Sequence, residues 1–245
     1  MTLVEHLSEL RFRIVVSLFA IAVGSAIGYI VSPQVIELLR APVGDRPLVF
    51  TSIAGAFFVR IKLALLIGIV LASPVVFYQL WAFISPGLTP SERRVVRPWI
   101  PLALVLLVAG IVVGYLILPY TAAFLLSFQV PGAIEPLITV ESYFGFVTTM
   151  FLAFGLVFQF PIVLMLLAKV GIVSAERLRR NRRYVLLGIF VLAVVVTPGG
   201  DPVSPTIMAL VMYPLYELTI RLVARAERPM TSTAADASAA GATRP

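Results

Sequence analysis

The chain contains no cysteine and a single histidine, His6. The first absence rules out disulfides and thiolate chemistry. The second removes any catalytic or metal site that needs two imidazoles. Charge is scarce: Asp, Glu, Lys and Arg make up 13% of the 245 residues, against about 25% in a typical soluble domain. No Gly-x-x-x-x-Gly-Lys-[Ser/Thr] loop is present, so nucleotide binding of that kind is excluded. No internal repeat is found, and the middles of the long apolar runs are almost wholly nonpolar.

Hydrophobic residues fill the gap. They make up 60% of the chain, and the mean hydropathy is +1.03. Soluble domains stand at about 45–50% apolar, so the solvent implied here is lipid. The apolar residues fall into runs that predict an all-α integral membrane protein. A hydrocarbon core of about 30 Å needs about 20 helical residues. Spans are expected at about residues 14–33, 61–84, 98–119, 142–168, 184–197 and 205–223. The first apolar run, 14–31, exceeds the roughly 7–15 residues of a secretory signal core, so a retained first span is expected. Residues 32–60 read as a sizeable loop with three prolines. The fifth run, 184–196, reaches only about 20 Å at 1.5 Å per residue. Residues 1–225 form one polytopic domain in this reading, and residues 226–245, rich in Ala, Ser, Thr and Gly, form a disordered cytoplasmic tail.

The chain carries 19 Lys plus Arg against 12 Asp plus Glu, a net charge of +7. The basic residues sit in clusters between apolar runs, which reads as topology rather than nucleic-acid binding. Fifteen of the 19 fall on one side of the six expected spans, in segments that include Arg11 and Arg13, Arg93 and Arg94, and the cluster from Arg177 to Arg183. Arg40, Arg46, Arg60 and Lys62 fall on the other. The bias places both termini in the cytoplasm.

Residues 3–13 alternate leucines at helical spacing with charges, the pattern of an interfacial amphipathic helix. An acidic recognition surface for a basic partner is the sharper reading of the same residues. Gly24–Gly28 and Gly110–Gly114 are Gly-x-x-x-Gly pairs that let helices approach closely. Pro74 and Pro161 predict bends within their spans. Glu217 stands four residues before Arg221, the spacing of an intrahelical ion pair.

The segment His6-Leu-x-Glu9-Leu10-Arg11-x-Arg13 before a first span resembles the N-terminal signature of the TatC family, the multispanning receptor subunit of the twin-arginine protein translocase. The resemblance continues through Tyr78-Gln79-x-Trp81-x-Phe83, Pro86-Gly87-Leu88, Glu92-Arg93, Phe158-Gln159-x-Pro161, Thr197-Pro198, Asp201-Pro202 and Leu215-Tyr216-Glu217. Order and spacing together make it specific over roughly residues 3 to 220.

The resemblance implies six spans in a curved, cupped arrangement and a receptor that is not an enzyme and holds no cofactor or metal. It implies binding of twin-arginine signal peptides of folded cargo, with Glu9 and Glu92 receiving the arginines. Two arginines call for carboxylates that accept charge-assisted hydrogen bonds. Leu10 and Phe83 are the expected apolar contacts, and Arg11 is expected in the same signal-peptide site. TatA-like and TatB-like single-span subunits are the implied partners, with Thr197, Asp201 and Glu217 at the docking regions. Assembly into homo-oligomers within the complex and export driven by the proton-motive force are implied too. Two positions depart from the family pattern. Gln159 stands in the fourth span where many relatives have glutamate, so no titratable group is available there. Pro205 follows Ser204 where a glutamine is common.

A secondary transporter would show inverted repeats and polar midplane sites, and the sequence shows neither. An intramembrane enzyme lacks its residues. A generic membrane scaffold remains the plainer alternative.

Overall fold

A computed structural model describes residues 3–44, 46–87, 89–90, 93, 96–128, 137–169, 171–197 and 200–241, with side chains described from Val4 to Ala224, Val196 excepted. The helices are α1 (Leu3–Arg40), α2 (Gly55–Ile84), α3 (Trp99–Leu126), α4 (Val140–Val157), α5 (Phe160–Lys169), α6 (Ala175–Arg180), α7 (Arg182–Val196) and α8 (Val203–Gly241). Five stretches are long and apolar enough to cross a bilayer: Val4–Val43, Gly55–Gly87, Trp99–Leu126, Val140–Lys169 and Val203–Ala224. The 15 residues of α7 rise about 22 Å and fall short of that length.

The expected loop at 32–60 is mostly helix. α1 runs through Pro33 to Arg40. Proline has no N–H and leaves the carbonyl four residues back without its helical donor. For Pro33 that acceptor belongs to Tyr29, and Ser32 Oγ (2.8 Å) and Arg60 Nη2 (3.2 Å) donate to it. The same device carries α2 through Pro74, where Ser73 Oγ donates to the Val70 carbonyl at 2.7 Å. A serine before an intrahelical proline thus keeps the helix continuous.

Pro161 acts differently. The expected fourth span divides into α4 and α5 at Phe158 and Gln159, just ahead of it. α8 continues as helix to Gly241, where the sequence reading expects disorder from residue 226. Alanines at 234, 235, 237, 239 and 240 favour helix locally.

α1 and α2 form the most extensive helix pair. Their backbones meet at glycines: a Cβ on Gly24 would lie 2.7 Å from the Gly68 carbonyl oxygen, and one on Gly28 2.6 Å from that of Ala64. On α3, a Cβ on Gly110 would lie 2.7 Å from the Phe154 carbonyl oxygen, whereas Gly114 has ordinary contacts.

The α4–α5 stretch is the centre of the bundle, with 56% of its most apolar window buried against 11% for α1. Phe144, Met150, Phe154 and Phe158 pack there with Leu63 of α2, Leu118 of α3 and Met208, Met212 and Tyr216 of α8. Beyond Pro33, α1 reaches α4, where Tyr143 Oη donates to the Leu39 carbonyl at 2.5 Å. This last segment of α1 joins α2, α3 and Phe151 of α4 around an apolar cavity of about 340 Å³.

Candidate functional site

The basic end of the bundle is where α1 begins and α2 ends. Glu9 and Arg13 stand one turn apart on α1, the spacing at which side chains meet along a helix. Arg13 Nη2 donates to Glu9 Oε1 at 2.5 Å and its Nε to the same oxygen at 3.1 Å. Its third nitrogen, Nη1, donates to Gln79 Oε1 of α2 at 3.1 Å. Both charged side chains are four-fifths buried, at 20% exposure for Arg13 and 18% for Glu9. The other oxygen of Glu9, Oε2, is buried and has no partner among the described residues. A carboxylate oxygen out of water without a donor is costly, and it suits an incoming cation.

Beside this ion pair lies an apolar groove of about 220 Å³. Leu10, Ile14 and Leu18 line it from α1, and Val76, Leu80 and Phe83 from α2, with Arg13, Ser17 and Gln79 as its polar members. His6 stacks on Phe83 with centroids 4.4 Å apart and planes at 15°, which pins the start of α1 to the end of α2. The site is therefore an acid with one open oxygen next to a hydrophobic trough.

Of the residues expected from sequence, Glu9, Leu10 and Phe83 converge here. Arg11 is exposed on the same helix. Glu92 lies outside the described residues. Its neighbour Arg93 donates from Nε to the Ser85 carbonyl at 2.9 Å, just past the end of α2.

Gln159 sits at the α4–α5 break. Its Nε2 donates to the Ala103 carbonyl at 3.2 Å, and its buried Oε1 has no partner among the described residues. Ala103 is four residues into α3, about 6 Å of rise, so the amide lies toward the basic end of its span.

Thr197, Asp201 and Glu217 do not come together. Thr197 and Asp201 are buried at the opposite end, 6% and 3% exposed. Thr197 Oγ1 donates to the Ala193 carbonyl at 2.6 Å, and Asp201 Oδ1 caps the first turn of α8 by accepting from Ser204 N at 2.7 Å. Ser204 Oγ lies 2.7 Å from Thr121 Oγ1 of α3. Glu217 is 13 residues further along α8, about 20 Å away by helical rise. There it accepts from Arg182 Nη2 of α7 at 3.1 Å, in place of the Arg221 partner expected from spacing.

Sequence reasoning missed Gln79 as a partner of Arg13, His6 as a partner of Phe83, and Thr121. The Glu9–Arg13 spacing was available as a signal. The contacts between helices had none.

A family model described as Sec-independent protein translocase protein (TatC) matches residues 5–210. The chain belongs to the TatC family. Among curated TatC proteins, that of Carboxydothermus hydrogenoformans is 41% identical over 223 residues, covering 90% of this chain and 91% of its own. That of Aquifex aeolicus is 34% identical over 228 residues, covering 91% and 94%. A crystal structure of the twin-arginine translocase receptor TatC in the detergent DDM superposes with a TM-score of 0.76 at 33% identity, covering 89% of this chain and 99% of that one. A second TatC crystal structure gives 0.74 at 34% identity. This TatC chain is accordingly a component of the twin-arginine protein translocase, which unites several kinds of Tat subunit. It is a multi-pass protein of the cell membrane and a transport component, not an enzyme.

Proposed function

We propose that this TatC chain is the receptor subunit that binds twin-arginine signal peptides at the basic end of the bundle. The observation that carries this reading is Glu9 Oε2, buried and unpartnered beside a groove lined by Leu10 and Phe83. An arginine supplies the missing donor, and the peptide's apolar stretch takes the groove. Such hydrogen bonds between ions are about twice as strong as neutral ones. Glu92 serves as the acid for the second arginine, and Arg11 holds the headgroup region nearby.

In this reading α7 counts as the fifth of six crossings, despite its length, and both termini face the cytoplasm. TatA-like and TatB-like single-span subunits dock around Thr197, Asp201 and Glu217, and copies of the chain associate within the complex. Folded cargo then moves at the expense of the proton-motive force, since the sequence has no nucleotide-binding loop of the P-loop kind.

The test places a photoreactive amino acid at Ile14, on the groove wall. It is expected to label a twin-arginine signal peptide, and labelling should drop about tenfold with a Lys-Lys peptide or in a Glu9→Ala variant. Labelling indifferent to both changes would sink the receptor reading and favour a generic scaffold.

A further inference from the structure

Glu9 is not a bare carboxylate. Both donors that Arg13 offers it converge on Oε1, at 2.5 and 3.1 Å. An oxygen accepting two N–H bonds has both lone pairs engaged. The remaining nitrogen of Arg13, Nη1, is anchored on the other helix by Gln79 Oε1. The chain Gln79–Arg13–Glu9 thus runs from α2 to α1 and ends on Oε2, which has no partner among the described residues.

We propose that Arg13 and Gln79 are positioning residues that set the preference of this site for arginine over lysine. Their part is to saturate one oxygen of Glu9 and fix the carboxylate, so that Oε2 alone is open and always in the same place. The inference rests on the receptor reading above and deepens it.

Two physical arguments support the assignment. First, a guanidinium holds its donors in a rigid planar fork, so it gains most from an acceptor that is already fixed, whereas an ammonium on a flexible stem gains less from a fixed acceptor. Second, Oε2 is buried, so the ligand cation must leave water to reach it. An ammonium is more strongly hydrated than a guanidinium and loses more on that step. A Glu9 carboxylate released from Arg13 would rotate toward solvent, where it meets either cation with its hydration largely intact. The Arg13 contact also neutralises Glu9, so a ligand cation at Oε2 brings the site to a net positive charge. A second ligand arginine needs a second acid.

Gln79→Leu removes the acceptor that fixes Arg13 while keeping the side chain's size and the groove apolar. Arg13→Gln removes the pair outright. Binding of Arg-Arg and Lys-Lys signal peptides to purified full-length protein in lipid nanodiscs would be titrated by fluorescence anisotropy. For Gln79→Leu the ratio of Arg-Arg to Lys-Lys affinity should shrink about tenfold, beyond any change that both peptides share through the groove wall. Gln79→Glu, which keeps an acceptor for Arg13, should restore the preference. A role only in folding would weaken both peptides together and leave their ratio intact. Such a result overturns the proposal, as does Arg13→Gln binding the Arg-Arg peptide more tightly than wild type, which would make Arg13 a competitor. Glu9→Ala separates the two levels. If it keeps the preference, the receptor reading itself fails. If it loses the preference while Gln79→Leu keeps it, only the positioning role fails.

Discussion

The guanidinium of Arg60 lies 4.2 Å over the ring of Tyr29 and donates from Nη2 to that residue's carbonyl, the acceptor that Pro33 strands. Its Nε donates to Ser32 Oγ at 3.2 Å. One cation on α2 therefore completes the backbone of α1 at the point where α1 would otherwise break. This gives Arg60 a structural role in joining α1 to α2.

Loss of that cation should be felt as loss of stability. Arg60→Ala removes a charged hydrogen bond to a stranded carbonyl, worth about 1.5–3 kcal/mol, and a cation–π contact of about 0.5–1 kcal/mol. At about 2–4 °C per kcal/mol for a chain of this size, the thermal midpoint in detergent should fall by roughly 5 °C or more. Arg60→Lys should recover only part, because lysine lacks the fork that reaches Ser32 and the carbonyl together. An unchanged midpoint for Arg60→Ala would show that Ser32 alone satisfies Tyr29.

The glycines make a prediction of opposite signs. A methyl on Gly28 would meet the Ala64 carbonyl oxygen at 2.6 Å and the Ile67 Cβ at 3.0 Å, and helix backbone cannot step aside as a side chain can. Gly28→Ala should cost about 1–3 kcal/mol, as overpacking does. Gly188 of α7 is exposed, and an added Cβ there meets nothing within 4 Å. Gly188→Ala should gain about 0.5–1 kcal/mol from helix propensity. Thermal denaturation of the pair checks both, and equal effects would mean that α1 and α2 do not rely on this approach.

Phe83 forms one wall of the groove and carries the stacked His6. Its contribution to a bound peptide is apolar area, which does not distinguish arginine from lysine. Phe83→Ala should weaken Arg-Arg and Lys-Lys peptides alike, by about tenfold for the loss of most of an aromatic contact. The ratio of the two affinities should stay as in wild type. A changed ratio would mean that Phe83 orders the acidic site through His6 rather than lining the trough.

Much of this molecule was legible before its structure. Composition gave a helical membrane protein, and the ordered motifs gave the family. Glu9, Leu10 and Phe83 were named and do converge. The errors have particular causes. Periodicity and proline counting turned residues 32–60 into a loop, because a stranded carbonyl looks fatal until Ser32 and Arg60 are seen to fill it. The Ser-Pro pairs at 32–33 and 73–74 were visible and went unused. Spacing along α8 favoured Arg221 for Glu217, yet Arg182 of the neighbouring α7 takes that position. Local spacing reports what shares a helix face, and only the packing of α7 on α8 decides which cation arrives first.

Gln159 offers the last test, because it is a polar side chain at the α4–α5 break, inside an apolar span. Its Nε2 holds the Ala103 carbonyl at 3.2 Å, while its Oε1 is buried with no donor. The two halves of the amide oppose each other. The hydrogen bond is worth about 1 kcal/mol, and the orphaned oxygen costs about 1–3 kcal/mol. Leucine gives up the first and removes the second at similar volume. Gln159→Leu should therefore leave the thermal midpoint within about 3 °C of wild type. An amide neither gains nor loses a proton at physiological pH, so its removal takes no proton carrier from the span. Export of a folded twin-arginine substrate into inverted membrane vesicles should continue within about twofold, since a buried amide of near-zero net worth offers little to lose. If export stopped while signal-peptide binding and the midpoint held, the amide itself would be a working part of the transport path, acting through hydrogen-bonded water at the α4–α5 break rather than through ionisation.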